Sequence, residues 1–336
     1  MIIQQETFGV TREGKPVEAY RLENKAGEYL RIITFGGAMQ ALCLKDRDGV
    51  LCDVVPGFEQ VEDYEKSLSC FGSMVGRVCN RTAGAQFVLH GKTYHLDRND
   101  NGNNLHSGPD GYHLRVWEYE SSHCDEKEAS VTLKLHSPDG DQGFPGSADI
   151  HVTYAFNESD QVHVSIRAVP DRDTMFNMTC HSYFNLNGEG SGKVTDHLVT
   201  IHADTYLEKD SENIPVERRS VTDTIYDFRK GKKIGKDLPD TGFDHCFYVD
   251  EQPCFEACSE KTGIGFTLST DQPCVQLYTA GFLEEPHGKH PYSHTDAFAI
   301  EAQYPVNSVN GVQNERPLVK AQEEYRWDTV YQFYRK

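Results

Sequence analysis

The chain has 336 residues, 38% of them hydrophobic, with 28 glycines and 17 each of tyrosine and phenylalanine, which is the composition of a folded protein rather than a disordered one. Its formal net charge of −19, from 52 acidic and 33 basic residues, opposes binding to a phosphate backbone or to an anionic lipid surface. Nucleic acid and membranes are therefore excluded as the main partners, and a neutral small molecule fits the charge better than a strongly anionic one.

Residues 1–6 lack the basic and apolar regions of a secretory signal, and no apolar stretch of about 18 residues follows them. We therefore expect a cytoplasmic protein. Ten cysteines are scattered along the chain without a C-x-x-C pair, so we expect reduced thiols and no bound metal. Gly-rich phosphate-binding loops are also missing.

Short runs of β-branched and aromatic residues alternate with Gly, Asn and Asp turns, which predicts strands. In chain order these runs are 17–22, 29–34, 38–44, 51–55, 116–121, 130–136, 148–156, 162–168, 198–203, 247–249, 265–269, 275–280, 297–302 and 325–333. Near the N-terminus, residues 60–66 are the only helix-like piece. Residues 86–96 alternate about Gly91 in the pattern of a β-hairpin.

The order of these elements decides the fold class. No strand–helix–strand alternation is present, which disfavours a parallel α/β sheet. Repeats, low-complexity tracts and linkers are missing too, so residues 1–336 are expected to form a single domain. We predict an all-β fold, a large antiparallel β-sandwich with few short helices.

Residues 177–188 crowd polar side chains around His181 in a strand-like segment. An ordinary core strand would not carry Asn177, Asn185 and Asn187 so close together, and the pattern predicts a lined pocket. Imidazole gains and loses protons near neutral pH, so His181 is a candidate general acid or base. Taken alone, a structural histidine is the simpler interpretation.

Glu301 lies in an otherwise apolar strand. It could point outward to water by simple alternation. If it points inward, loss of solvation raises its pKa toward the range of a useful base. Arg77, Arg81, His106 and Asp244 also lie at the ends of strand-like runs, although each alone could be a surface, loop or turn residue.

Several motifs together carry a resemblance to a known family. They are residues 76–83 (GRVCNRTA), 104–108 (NLHSG), 179–186 (TCHSYFNL), 243–245 (FDH), 301–303 (EAQ) and 325–333 (YRWDTVYQF). In this order, and over nearly the whole chain, they resemble the aldose 1-epimerases, the galactose mutarotases.

The resemblance implies a galactose mutarotase-like β-sandwich and an isomerase that interconverts the α and β anomers of free aldohexoses, chiefly galactose and glucose, without metal or nucleotide. It puts the general base on Glu301 and the general acid on His181, which would meet from opposite sides of one pyranose. It assigns sugar binding to Asn80, Arg81, His106, Asp244, Tyr183, Gln276 and Gln303. Monomer and homodimer both stay open.

Three departures from the family pattern leave the preferred sugar open. Cys180 stands where Asn is common, Ser107 where Gly is common, and Ala280-Gly281 where Gly-Asn is frequent. Two other functions also stay open: a sugar-binding module on the same fold, and an epimerase of hexose 6-phosphates, for which the sequence shows no additional basic group.

Two further features are expected to be structural. The histidine-rich residues 287–294 are more typical of a mobile solvated loop than of a metal site, because Pro291 disfavours a helix. Trp117 and Trp327 could stack on a sugar, but buried strand packing is the favoured interpretation for both.

Overall fold

A computed structural model describes residues 1–311 and 315–336 of the chain. Its strands are Ile2–Val10 (β1), Pro16–Glu23 (β2), Tyr29–Ile33 (β3), Ala38–Lys45 (β4), Leu51–Asp53 (β5), Met74–Val75 (β6), Arg81–Thr82 (β7), Gln86–Leu89 (β8), Lys92–His95 (β9), Asn104–Leu105 (β10), Glu118–Cys124 (β11), Glu128–Ser137 (β12), Ala148–Asn157 (β13), Gln161–Ala168 (β14), Thr174–Met175 (β15), Thr179–Cys180 (β16), Tyr183–Phe184 (β17), Leu198–Ile201 (β18), Thr205–Lys209 (β19), Pro215–Ser220 (β20), Lys232–Lys233 (β21), Asp244–Tyr248 (β22), Phe255–Cys258 (β23), Ile264–Thr270 (β24), Cys274–Tyr278 (β25), Phe298–Gln303 (β26), Leu318–Val319 (β27) and Tyr325–Arg335 (β28). One short α-helix, Val61–Lys66 (α1), lies where the helix-like stretch was predicted. No helix of the described ranges is long and apolar enough to span a membrane.

Three large antiparallel sheets form the body of the molecule. Their strand orders are β1-β2-β3-β4-β5, β11-β12-β13-β14-β28-β24-β23-β18-β21 and β17-β26-β25-β22-β19-β20. Side chains from all three sheets, among them Leu30, Val164, Phe266 and Ile300, belong to one buried core. The predicted all-β antiparallel sandwich with few short helices is confirmed.

Strand β14 shows why the predicted alternation was a reliable signal. Val162, Val164 and Ile166 are fully buried, whereas His163 and Arg167 on the other face are partly exposed. Period-2 patterning of this kind is expected for a sheet with one packed and one solvated face.

Strand β26 does not alternate between buried and exposed residues, and this exception positions the site. All six of its residues are buried, because the sheet that contains it is covered on both faces. Trp327 on β28 packs beneath it, and its indole Nε1–H donates to the carbonyl oxygen of Ala302 (2.9 Å). Trp327 and Trp117 are both buried, as predicted.

The histidine-rich segment 287–294 is mostly exposed, as expected of a solvated loop, but it is anchored at two residues. Lys289 reaches under the five-stranded sheet, where its Nζ lies 2.8 Å from Asp53 Oδ2 and 3.0 Å from the carbonyl oxygen of Val55. Tyr292 is buried as well. The segment is thus anchored at these two points, while His287, His290, Ser293 and His294 remain exposed; its mobility stays a prediction.

Candidate active site

A cavity of about 280 Å³ opens beside β26. Strands from different sheet regions converge on it, since β7, β17, β22, β25 and β26 each contribute a side chain. Its lining residues are Leu68, Ser69, Asn80, Arg81, Leu105, His106, His181, Tyr183, Asp244, Tyr278, Phe282, Leu283 and Glu301. The volume suits a small ligand, at the low end of ordinary binding pockets.

Glu301 and His181 lie next to each other on the wall of this cavity. Glu301 Oε1 is 3.6 Å from His181 Nε2, and the residues are only 2% and 6% exposed. Within the described part of the chain, Glu301 Oε2 and His181 Nδ1 have no hydrogen-bond partner. Buried polar atoms are normally satisfied, so this pair is available to a ligand.

The cavity perturbs both groups in opposite directions. Burial raises the pKa of Glu301 to about 8, with a further rise from the charge of Asp244 and a smaller opposing effect of Arg81. Burial lowers the pKa of His181 to about 4. Each shift favours the uncharged form, and between these two values the pair holds a single proton.

The backbone on both sides of His181 is fixed by a neighbouring segment. Its N–H donates to the carbonyl oxygen of Ser73 (2.9 Å), and its own carbonyl accepts from the N–H of Gly72 (3.0 Å). Gly72 has φ +65°, and a Cβ at this position would overlap the backbone of Met39. A glycine is therefore required where the chain passes behind His181.

His106 is held as a neutral donor. Its Nδ1 accepts the backbone N–H of Asn80 (3.1 Å), and burial together with the neighbouring His181 keeps its pKa well below the usual value. A neutral ring that accepts at Nδ1 carries its proton on Nε2. His106, whose ring centroid lies 5.5 Å from that of His181, can therefore donate a hydrogen bond into the cavity.

Asp244 lies within a group of donors. Gln276 Nε2 is 2.6 Å from its Oδ1, Lys209 Nζ is 3.0 Å from its Oδ2, and Arg81 Nη1 is 4.0 Å from Oδ2. Burial alone would raise the pKa of Asp244, but the positive charges of Lys209 and Arg81 and the hydrogen bonds from Lys209 and Gln276 outweigh it, and the pKa is lowered. The carboxylate is thus an ionised acceptor at the cavity.

Two residues expected at the sugar lie elsewhere. Gln276 lines a small adjoining recess and reaches the cavity only through Asp244. Gln303 is fully buried outside the cavity, where its Nε2 donates to the carbonyl oxygen of Tyr304 (3.2 Å) and its Oε1 accepts from Cys79 Sγ (3.5 Å). The other predicted residues all line the cavity.

The pocket role expected for three asparagines was wrong. Asn177 Oδ1 accepts the backbone N–H of Tyr304 (2.8 Å), and Asn185 Nδ2 donates to the carbonyl oxygen of Asp296 (2.9 Å). Asn187 Nδ2 donates to Asp196 (3.1 Å). Their clustering reflects loops that require side-chain hydrogen bonds, and none of the three lines the cavity.

Two of the positions that depart from the family pattern point away from the cavity. Ser107 Oγ accepts the N–H of Val78 (2.8 Å) and donates to its carbonyl (2.9 Å). Cys180 is buried, and its Sγ lies 3.1 Å from Ser182 Oγ. Neither side chain lines the cavity.

Among the residues that the sequence interpretation missed are Leu68, Tyr278 and Phe282, which line the cavity, and Lys209, which contacts Asp244. Tyr278 could have been found, because it lies two positions after Gln276 on a predicted strand and therefore on the same face. The remaining three come from loops or from a strand that was not predicted, and no local pattern indicates their position.

Known proteins match this chain over nearly its whole length. A family profile described as aldose 1-epimerase matches residues 18–332. Galactose mutarotase from Homo sapiens is 36% identical over 333 residues, which cover 95% of this chain and 95% of that protein. Aldose 1-epimerase from Escherichia coli strain K12 is 30% identical over 345 residues, covering 98% of each.

Solved structures agree as well. Galactose 1-epimerase from Lactobacillus acidophilus NCFM superposes with a TM-score of 0.89 at 25% identity, covering 100% of this chain and 99% of that chain. An aldose epimerase homologue from C. elegans superposes with a TM-score of 0.86 at 30% identity, covering 94% and 98%. This chain therefore belongs to the aldose 1-epimerase family.

Proposed function

We propose that this isomerase interconverts the α and β anomers of free aldohexoses, galactose and glucose, by general acid–base catalysis with Glu301 and His181. One observation carries the proposal: a buried carboxyl and a buried imidazole, 3.6 Å apart, face the same cavity. Both have polar atoms without partners among the described residues.

The reaction needs one base and one acid. The C1 hydroxyl loses its proton, the bond between C1 and the ring oxygen breaks, and the ring oxygen gains a proton. The resulting aldehyde rotates and is attacked on its other face. Because both reacting oxygens are bonded to C1, neighbouring catalytic groups can reach both, and Glu301 and His181 need not lie on opposite sides of the ring.

In the proposed mechanism Glu301 takes the C1 hydroxyl proton and His181 gives a proton to the ring oxygen, and the roles reverse on closure. The higher pKa places the resting proton on Glu301. It must pass to His181 before ring opening. The ion pair thus formed carries a desolvation cost in this buried site, which the attraction between the two charges reduces, and each partner can contribute about 10²–10⁴-fold.

The rest of the cavity would hold the sugar. His106 donates from Nε2 toward oxygen that becomes negative as the ring opens, and ionised Asp244 accepts from sugar hydroxyls. Asn80, Arg81 and Tyr183 line the cavity beside them. The proposed sugar-binding residues are therefore Asn80, Arg81, His106, Tyr183 and Asp244. Gln276 acts through Asp244, and we assign no sugar contact to Gln303.

A neutral sugar suits the site better than a sugar phosphate. Arg81 Nε is 2.7 Å from Asp100 Oδ2, and Lys209 is paired with Asp244. Both nearby cations are thus compensated, whereas a phosphate requires cations of its own. We further place the protein in the cytoplasm as a monomer or homodimer, acting without cofactor, metal or nucleic acid.

Polarimetry tests the proposal. The wild-type protein should accelerate the decay of optical rotation of fresh α-galactose and α-glucose more than that of their 6-phosphates. Glu301→Gln should lose catalysed decay by at least about 10²-fold and still bind galactose by calorimetry. Glu126→Gln, at an exposed carboxylate, is the matched control.

Three results would each contradict part of the proposal. Wild-type protein without catalysed decay on either free sugar would reject the activity, and full activity in Glu301→Gln would reject the mechanism. Faster decay with the 6-phosphates would reject the preferred substrate.

A further inference from the structure

Lys209 ends β19 and carries its ammonium group to the side of the cavity. Its Nζ lies 3.0 Å from Asp244 Oδ2, and its side chain is 20% exposed. The preceding carboxylate, Glu208, is engaged elsewhere, by the hydroxyl of Tyr206 and by Arg219. Among the described residues, Asp244 is therefore the carboxylate that forms a salt bridge with Lys209.

The remaining cation near Asp244 cannot replace Lys209. Arg81 Nη1 is 4.0 Å from Asp244 Oδ2, beyond hydrogen-bond range, while its Nε is bonded to Asp100. Gln276 donates to the other carboxylate oxygen but brings no charge. Lys209 is thus the cation that directly contacts the carboxylate.

Asp244 in turn faces the acid–base pair. Other titratable groups around it are His181, Tyr183, His245, Tyr278 and Glu301, and its charge raises the pKa of each of them. A change in the charge at Asp244 is therefore felt at both proposed catalytic groups.

The recess on the far side of Lys209 is too small for a second ligand. It has a volume of about 10 Å³ and is lined by Lys209, Asn213, His245 and Gln276 among others, which is at most enough for one water molecule. Lys209 therefore cannot use this recess to hold an anion such as a sugar phosphate, and its contact is Asp244.

We infer that Lys209 is a positioning residue, which orients Asp244 toward the sugar, stabilises its ionised form and balances the negative charge beside Glu301 and His181. The inference rests on the proposed function and adds a residue to it. Asp244 is the group that touches the sugar, and Lys209 acts through it.

Lys209→Met removes the charge and keeps the length of the side chain. We expect KM for galactose to rise about tenfold, as for the loss of a charged hydrogen bond, with a smaller change in kcat. The uncompensated charge of Asp244 should also favour protonated Glu301, so the alkaline limb of the plot of kcat/KM against pH should move to higher pH. Lys209→Arg should restore both values.

A second variant and a double mutant keep the test decisive. Lys209→Gln retains a donor without the charge and should still move the alkaline limb upward, even if Lys209→Met folds poorly. The double mutant Asp244→Asn, Lys209→Met should have its alkaline limb at the same pH as the single mutant Asp244→Asn. Lys127→Met, on an exposed loop, is the control for loss of a lysine.

Folded Lys209 variants with wild-type KM and an unmoved alkaline limb would overturn the inference, as would an equal effect of Lys209→Met with and without Asp244. These outcomes are distinct from failure of the proposed function, because that failure appears as an inactive wild-type protein.

Discussion

At the scale of single residues, the chemistry of the cavity depends on which of Glu301 and His181 carries one proton. Glu301 releases it only near pH 8 and His181 accepts a second one only near pH 4. Catalysis requires one proton on the pair, because one group must give and the other must take.

We therefore expect a bell-shaped plot of kcat/KM against pH. Activity should fall below about pH 4, where both groups are protonated and no base remains, and above about pH 8, where neither is protonated and no acid remains. Polarimetry corrected for spontaneous mutarotation measures this plot. An alkaline limb near pH 6 would contradict the assignment.

The same carboxyl group should reduce stability at high pH. Its pKa is 4.5 ordinarily and about 8 in the fold, so the folded state keeps a proton that the unfolded chain releases. Stability contributed by the neutral form is fully present below pH 4.5 and is lost as pH rises toward 8. Glu301→Gln should thus have a higher urea midpoint than wild type at pH 9, with little difference at pH 5.

Exposed Glu126→Gln is the control for this stability measurement, and it should change neither midpoint. An equal gain for Glu301→Gln at both values of pH would show that the effect is one of packing and not of proton binding.

The direction of the Glu301 side chain could not be decided from its strand pattern. Alternation allowed it to face water, and only the burial of both faces of β26 settles that it does not. His181, His106 and Asp244 were found from their motifs. Lys209 and Phe282 were not, because their position at the cavity depends on contacts between distant segments.

At the scale of secondary-structure elements, a buried arginine holds the segment that leads into β7 in place. Arg77 is fully buried, and its Nη1 donates to the carbonyl oxygens of Pro145 and Gly146 (2.8 Å each) while Nη2 bonds the hydroxyl of Ser137. It ties the segment to the loop after β12.

Arg77→Met should lower the free energy of unfolding by about 3–5 kcal/mol, because several buried acceptors lose their donor. Urea denaturation measures the loss. Arg326→Met, at an exposed arginine paired with Glu324, should change it by less than about 0.5 kcal/mol. Equal effects of the two variants would contradict the structural role of Arg77.

The turn after β25 is a second element with a defined constraint. Gly281 has no room for a side chain, since a Cβ there would overlap the carbonyl of Thr241. The next residue, Phe282, forms part of the cavity mouth, and its N–H donates to the Tyr278 hydroxyl (3.2 Å). The segment that contains Thr241 thus requires glycine at position 281.

Gly281→Asn should therefore raise KM for galactose and lower the melting temperature, because the turn must move. Ala280→Gly should be tolerated, since Ala280 has φ +51°, a conformation that glycine adopts without strain. Polarimetry and thermal denaturation of both variants measure the difference, and a wild-type KM in Gly281→Asn would contradict it.

Strands with regular alternation, such as β12, β14 and β28, were predictable within a few residues. Strand β1 was missed because it is an edge strand with mostly exposed polar residues. Strands β19 and β20 were missed because charged residues interrupt their apolar pattern. Their pairing is stabilised by tertiary contacts that no short window of sequence contains.

For the molecule as a whole, the shared core leads us to propose that residues 1–336 form a single domain. Leu30, Val164 and Ile300 come from the three large sheets and lie in one buried cluster. Urea unfolding should therefore give coincident transitions by far-ultraviolet and near-ultraviolet circular dichroism. Two separated transitions would indicate independent units.

Strand β28 lies between β14 and β24 in the nine-stranded sheet, and its Trp327 supports Ala302, the neighbour of Glu301. During translation this strand leaves the ribosome after every residue assigned to the sugar. A nascent polypeptide thus contains Glu301, the proposed base, before it contains the strand that supports it. We therefore expect catalytic activity to arise late in synthesis, when β28 has emerged and inserted between β14 and β24, which are made earlier.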